Sequence, residues 1–486
     1  MATSSPPTKD SCVPLPLDPE VLNDLQASSK DWALTHGLVV MYMAPDQICC
    51  PDRITYVPHT LLPSPVPRRL FERMVSLQPH INLLMHRVAE DREFMTSALK
   101  STIKVDDFTA KLFEIYEEMH QAGYTKPVKL TLLRSDYMID TTSPQHAMKQ
   151  IEINTMASSF GGLSANLTHL HKYTLGLHSS EDNFEVNIPE NKSVEALAEG
   201  MVKAWQLYGR REAVVCYMVC CPEQNIFDQR LLEFMMKKKD SGIRVIRRSL
   251  TDVGKRGRLS EDRRLFVDGS EVAVVYYRVG YVPSHFCCGE KAWDAKLLAE
   301  KSLAVTCPSI DWHLAGTKKI QQELSRPGVL EKFLDNPEII DDIRATFAGQ
   351  YHLELNEEGD AAAAMGIQNP EGYVLKPQRE GGGNNFYGEE LSQKLRELEG
   401  KEERAAYILM ERVQPQVVSN YEVRGNQPVE MKDMVSELGI FGIFVSKGSD
   451  TVLNTSAGQL LRTKNIKTDE GGLMTGSSCM DSPYLV

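Results

Sequence analysis

The sequence predicts a mixed α/β (α+β) fold with an inserted parallel-sheet lobe, on three observations. Between residues 212 and 281 the chain alternates strand and helix, AVVCYMVC, DQRLLEFMMKKK, IRVIRRSL and EVAVVYYRVGY, the rhythm of βαβ units. Ahead of it, a long stretch of helical periodicity gives way to two strands with polar ends, 129–138 and 149–155. Behind it, residues 373–390 read YVLKPQREGGGNNFYGEE, an apolar strand that runs into three glycines and marks a second small lobe.

Bulk composition narrows the class. A chain of 486 residues holds two or three lobes, and 42% hydrophobic with 25% charged residues is ordinary for a soluble enzyme. The 54 basic and 66 acidic side chains give a net charge of −12, which argues against nucleic acid as a partner. No run approaches the roughly 18 apolar residues of a membrane span, and MATSSPPTKDSCVPLPLDPE lacks a signal-peptide core. A cytoplasmic chain is expected, although a secreted one whose signal had been removed reads the same. The ten cysteines include three adjacent pairs, which bridge only under strain, and no C-x-x-C; free thiols are expected.

In order, residues 1–18 read as a flexible tail, 19–36 as a helix, and 44–67 as a proline-studded connection. Residues 69–121 are helical, with Phe94, Leu99, Phe108, Leu112, Ile115 and Met119 at core spacing. The strand LLRSDY carries Arg134, and QIEINT carries Glu152 and Asn154. Residues two apart share a strand face, so Glu152 and Asn154 offer either a pair of Mg2+ ligands or a solvated face. The following MASSFGGL can present backbone amides to an anionic substrate. Arg278 and Tyr281 end the last strand of the alternating region, and Glu223, Asn225 and Gln229 collect at the same edge, where open α/β sheets bind ligands. Lys318 and Lys319 open a helix after Gly316-Thr317, against the macrodipole, at about 0.3–1 kcal/mol unless an anion compensates.

In 373–390 the strand is expected to carry Lys376 outward. Glycines 381–383 then bend the backbone so that its amides meet phosphate oxygens, with Glu380 offering an oxygen to Mg2+. A glycine-rich hairpin turn is the other reading of these residues. The pattern matches neither G-x-x-x-x-G-K-[ST] nor G-x-G-x-x-G, so those two nucleotide folds lose support. Two strands follow, YILMERV and GIFGIFV, the second preceded by Glu437. A second glycine loop lies in LLRTKNIKTDEGGLMTG, after Arg462 and Lys464. There is no internal repeat.

Taken together and in order, RSDY, QIEINT, NIFDQR, LAGTKK, VLKPQREGGGNNFYGEE, SELGIFG and LLRTK with EGG resemble eukaryotic glutathione synthetase. The resemblance implies an ATP-grasp fold with a mobile lid, a homodimer, and a ligase that joins γ-glutamylcysteine to glycine using ATP and Mg2+. It implies Mg2+ ligands at Glu152, Asn154 and Glu380, with Arg462, Lys318 and Lys376 as catalytic residues. ATP contacts are implied at Glu152, Lys318, Lys376, Pro377, Gln378, Arg379, Glu380, Gly381, Gly382, Gly383, Asn384, Asn385 and Tyr387. Further ATP contacts are implied at Met410, Glu411, Arg412, Val413, Glu437, Lys464 and Glu470. The dipeptide is expected against Arg134, Met156, Ala157, Ser158, Ser159, Glu223, Gln224, Asn225, Gln229, Arg278, Val279, Gly280, Tyr281 and Arg462. Leu473 and Met474 are expected at the acceptor amino acid.

The corresponding lobes are 19–211 for the first part of the body, with its metal and substrate strands, and 212–317 for the inserted lobe. Residues 318–349 return to the body as helix, 350–432 form the lid, and 433–486 complete the body with the acceptor loop. Three departures from the family pattern cluster at the substrates. Ala157 stands where the family has serine, Val279 where animal members have aspartate, and Leu473-Met474-Thr475 replace V-A-A. A ligase with another small amine acceptor, or with weak glycine use, is therefore the alternative. A non-catalytic binding protein on the same fold is a third reading.

Overall fold

Two antiparallel strands, Met431–Lys447 and Asp450–Asn465, are the longest in the chain and form the middle of its largest sheet. The structure is a computed structural model that describes residues 11–43, 49–178, 184–287, 289–425, 427–473 and 475–486. The sheet has seven strands in the order Val417–Val423, His59–Thr60, Cys479–Asp481, Asp450–Asn465, Met431–Lys447, Val128–Asp140, Ala147–Asn154. Alternation along Met431–Lys447 explains why both faces are covered. Leu438, Ile440 and Phe444 join one cluster with Met74, Leu77 and Ile81 of helix Arg68–Glu90, whereas Phe441, Ile443 and Val445 join another with Leu197 and Met201 of helix Ser193–Tyr208.

The alternating region folds as predicted. Strands Val245–Arg248, Val214–Met218, Ser270–Tyr277 and Val305–Cys307 are mutually parallel, and two short antiparallel strands, Leu265–Val267 and Gly257–Leu259, extend the sheet. A third sheet orders Gln350–His352, Tyr407–Glu411 and Tyr373–Pro377, and its own core joins Leu375 and Leu409 to Leu391 and Leu395 of helix Gly388–Glu397.

Two expectations differ from what is found. The connection 44–67 contains the strands Cys49–Tyr56, His59–Thr60 and Ser64–Val66, the last of which pairs in parallel with Pro483–Leu485. Prolines flank these short strands, which concealed them. Within the expected tail, Val13 and Leu17 are buried with Leu25 and Tyr421, and the Leu17 amide donates to the Tyr421 hydroxyl at 2.9 Å; residues 1–10 lie outside the described residues. Cys216, Cys220 and Cys221 carry free thiols. Among the described residues no helix is long and apolar enough to cross a membrane.

Candidate functional site

Strand register brings the polar ends of four strands into one row. Asp136 lies opposite Glu152, Arg134 opposite Asn154, and Glu437 opposite Arg462. Arg134 grips Asp136 with two bonds, Nε to Oδ1 at 2.6 Å and Nη2 to Oδ2 at 2.7 Å. Arg462 donates to Asp136 Oδ2 at 3.0 Å and to Glu437. Asn154 donates through Nδ2 to Asp136 at 2.9 Å and to Glu152 at 3.0 Å, which leaves its carbonyl oxygen for another partner.

Lys318 ties this row to the glycine-rich segment. Its ammonium lies 2.9 Å from a carboxylate oxygen of Glu152 and 2.9 Å from one of Glu380. The macrodipole penalty noted in the sequence is thus met by two carboxylates. Lys319, beside it, is held by Glu323 at 2.8 Å and Glu354 at 3.0 Å. Burial disfavours the Lys318 ammonium, but the two carboxylates outweigh it and raise its pKa above the ordinary lysine range. Burial also lifts Glu152, yet Lys318, Lys376 and Arg462 hold it well below the carboxylate range. Glu380 goes the other way: burial, with Glu152 close by, pushes it up to about 7 despite Lys318.

These groups line a cavity of about 650 Å³. Of the residues expected at ATP, Glu152, Lys318, Lys376, Arg379, Glu380, Gly381, Gly382, Asn384, Asn385, Tyr387, Met410, Glu411, Arg412, Val413, Glu437, Lys464 and Glu470 line it. Pro377, Gln378 and Gly383 are not among the lining residues. Lys376 corrects the expectation of an outward lysine: it is 5% exposed and donates to the Ile151 carbonyl at 2.9 Å, and burial lowers its pKa. Arg379 lines the wall, but its guanidinium is held by Asp106 at 2.6 Å rather than left for a phosphate. Gln378 is a buried strut whose Oε1 accepts from the Lys319 amide at 2.9 Å.

Gly381, Gly382 and Gly383 all have positive φ, at 96°, 73° and 74°, so the bend read from the sequence does need glycine. The Glu470 carboxylate accepts from the Gly383 amide and, at 2.7 Å, from that of Asn385. A carboxylate therefore already sits where the glycine loop presents N–H groups to an anion.

The dipeptide residues divide in two. Arg134, Met156, Ala157, Ser158, Ser159, Tyr281, Arg462 and Leu473 line the cavity, whereas Glu223, Gln224, Asn225, Gln229, Arg278, Val279 and Gly280 do not. Arg278 instead holds the loop from its own strand end, donating through Nη1 to the Ser158 carbonyl at 3.2 Å and reaching the Ala157 carbonyl at 3.5 Å. The Glu223 carboxylate accepts from the Asn225 amide at 3.0 Å. Met474 lies outside the described residues.

Three residues that sequence reasoning left unassigned complete the site. Asp136, in the quoted RSDY, joins Glu152 and Glu437 in a group of carboxylates within 4.8 Å of one another; its i,i+2 spacing from Arg134 was the available signal. Asp228, in NIFDQR, accepts from the amides of Phe160 at 2.8 Å, Gly162 at 2.9 Å and Leu163 at 3.3 Å. It thereby fixes a loop in which Ala157 and Phe160 hold φ of 53° and 74°, a conformation costing non-glycine residues about 1–3 kcal/mol each. Asp228→Ala is expected to destabilise the fold by about 1–3 kcal/mol, because three buried amides lose their acceptor. It should raise KM for the dipeptide more than KM for ATP. Chemical denaturation and steady-state kinetics check both; equal effects on the two substrates contradict the assignment.

Gly439 is the third. It faces Asp136 across the sheet, and a Cβ there would lie 2.6 Å from Arg134 Cδ and 2.6 Å from Asp136 Oδ1. Only glycine lets the Arg134–Asp136 pair lie flat on the strand. Gly439→Ala is expected to lower stability by about 1–3 kcal/mol through overpacking, and to reduce kcat by displacing Arg134; wild-type values for both would show the pair has room.

Comparison with known proteins follows from this geometry. The family described as eukaryotic glutathione synthase, ATP binding domain, matches residues 19–485. A glutathione synthetase of Xenopus laevis is 45% identical over 472 residues, covering 96% of this chain and 98% of that one. The human glutathione synthetase is 44% identical over 471 residues, with 96% and 98% covered. Among solved structures, a glutathione synthetase-like effector from Globodera pallida in its apo form superposes with a TM-score of 0.76 at 26% identity, covering 97% of this chain and 98% of that chain.

Proposed function

The chain belongs to the eukaryotic glutathione synthetase family, and we propose that it joins γ-glutamylcysteine to glycine, cleaving ATP to ADP and phosphate. The observation that carries this reading is Lys318, held 2.9 Å from both Glu152 and Glu380 under the glycine loop. A binding module has no use for a buried ammonium clamped between two carboxylates at the mouth of a phosphate cradle. The residues also fit a hard divalent cation. Glu380 Oε2 is buried without a hydrogen-bond partner among the described residues, and the Asn154 carbonyl oxygen is left over once its amide is used. Glu152, Asn154 and Glu380 are oxygen donors of the kind Mg2+ takes, whereas Asp136 and Glu437 are covered by Arg134 and Arg462. When bound, Mg2+ neutralises phosphate charge.

The chain's own groups account for the rest. Lys318 and Lys376 face the phosphates, and the amides of the glycine loop orient them once Glu470 yields. The dipeptide's C-terminal carboxylate attacks the γ-phosphorus and ADP leaves. The resulting acylphosphate is attacked by the acceptor amine, the amine's proton is lost, and phosphate departs as the peptide bond forms. Arg462 stabilises the developing oxyanion. A loop-covered cavity keeps water from the acylphosphate.

A second reading concerns the acceptor. Leu473 lines the cavity, and Thr475 is bonded to its own loop through the Gly472 carbonyl at 3.0 Å, so the pocket wall is bulkier than the family's two alanines make it. ADP release from ATP, Mg2+ and γ-glutamylcysteine, with no acceptor and then with glycine, β-alanine, serine or alanine, decides. A dominant glycine response supports the main reading; a dominant response to another amine supports the second; no acceptor-dependent release contradicts both. A cytoplasmic homodimer is the accompanying proposal, and sedimentation as a monomer counts against it.

A further inference from the structure

Behind the loop 156–160, the carboxyl ends of the parallel strands carry a row of aromatic and cationic side chains that the reading above leaves unused. Arg247 lies level with Tyr217, and Tyr217 with Tyr276, on three neighbouring strands. All three therefore project from one face of the sheet. The Arg247 guanidinium covers the Tyr217 ring at 5.5 Å, the two tyrosine rings meet edge to face at 4.9 Å, and Arg278 covers Tyr276 at 5.9 Å. Two strand spacings set the ends of this row about 10 Å apart.

Three atoms around the row are buried without a hydrogen-bond partner among the described residues: Arg247 Nη1, Arg278 Nε and Asn225 Oδ1. Proteins rarely leave such groups unmet unless a ligand or water completes them. Arg247 does donate through Nη2 to Gln229 Oε1, but its nearest carboxylate contact, Glu233, is 3.9 Å away. Two guanidinium donors and one amide acceptor on a shared face have the complementarity of an α-amino acid head group, a carboxylate beside an ammonium. The γ-glutamyl end of the proposed donor dipeptide carries that head group, and its other end must reach the phosphoryl-transfer cluster.

Resting on the function proposed above, we propose that Arg247 is a specificity-determining residue of the donor site: it fixes the Gln229 amide and, with Arg278, binds the α-carboxylate of the γ-glutamyl group. Stacking on Tyr217 keeps the guanidinium planar and pre-oriented, which lysine does not reproduce.

The test compares two donors, γ-glutamylcysteine and 4-aminobutyryl-cysteine, which lacks only the α-carboxylate, in the wild type and in Arg247→Gln and Arg247→Lys. Wild type is expected to prefer γ-glutamylcysteine in kcat/KM. Arg247→Gln should raise KM for that donor about 10- to 100-fold, as loss of a charge-assisted hydrogen bond implies, with kcat and the KM for ATP nearly unchanged. It should leave 4-aminobutyryl-cysteine unaffected. Arg247→Lys should fall between, and it keeps the test informative if the glutamine variant fails to fold. A variant that still discriminates between the donors as strongly as wild type overturns the role of Arg247 alone. Equal losses on both donors reduce Arg247 to a structural part and also overturn it. A wild type indifferent to the α-carboxylate overturns the donor assignment together with it.

Discussion

Lys318→Met is expected to lower kcat about 10²- to 10³-fold, the loss typical of removing one preorganised donor from developing negative charge. Methionine keeps the length and volume of the side chain, so the change is almost purely one of charge. What it removes is the cation between Glu152 and Glu380, each 2.9 Å away. Two buried carboxylates then face one another, and Glu380, already pushed up to about 7 by burial, takes a proton more readily. A protonated Glu380 is a poor Mg2+ ligand, so the apparent affinity for Mg-ATP should fall along with kcat. Breaking a buried pair from one side also costs about 3–5 kcal/mol of stability. Glu380→Gln in the same chain should restore much of that stability, because it removes the repulsion, and restore none of the activity. Urea unfolding and ADP release together separate the two effects. A Lys318→Met enzyme with kcat reduced less than about tenfold would show that the phosphates are handled elsewhere.

How much of this site was legible in the sequence depends on how far apart its partners lie. Glu152 and Asn154 were readable because a strand places residues two apart on one face, and they do hydrogen-bond at 3.0 Å. Lys318 was readable because it breaks a local rule, and a lysine at a helix start asks for an anion. The positive φ of Gly381 to Gly383 followed from composition alone. Lys376 was misread as outward because its acceptor, the Ile151 carbonyl, is 225 residues away on another sheet. For Arg379 no local feature pointed to Asp106, which claims its guanidinium in the structure. The edge of the parallel sheet was located correctly, yet whether its polar groups face the cavity or stand behind the loop 156–160 is a matter of tertiary packing that strand rhythm does not encode. The short strands within 44–67 form only because distant segments, Pro483–Leu485 and Cys479–Asp481, pair with them. Gly439 and Asp228 escaped for a related reason: each acts on an element remote in sequence, through a missing Cβ in one case and a carboxylate spread over three amides in the other.

Arg462→Met should lower kcat by about 10²- to 10³-fold while leaving ATP affinity nearly intact, a division that separates it from Lys318. Arg462 stands at the junction of two carboxylates, donating to Asp136 at 3.0 Å and to Glu437 across the strand pair. Its side chain is 16% exposed, enough to meet a substrate group from the cavity it lines. Burial disfavours its charge, but Glu437, Asp136 and Glu152 overcome that and raise its pKa, so the residue stays cationic throughout the working range. Removing it strips Glu437 of its counter-ion; burial already raises that carboxyl, so Glu437 is expected to become neutral near pH 7 rather than to repel ATP. Asp136 keeps Arg134 and stays ionised. The loss then falls on the tetrahedral species, whose oxyanion has no other guanidinium free: Arg134 is fully engaged with Asp136. Arg462→Lys restores charge but not the forked geometry, and should recover only part of the rate. The measurement is kcat and KM for each substrate, with isothermal titration of an ATP analogue as a check on binding. If Arg462→Met weakens ATP binding as strongly as it slows turnover, the residue serves the nucleotide and the oxyanion must be stabilised by the lysines instead.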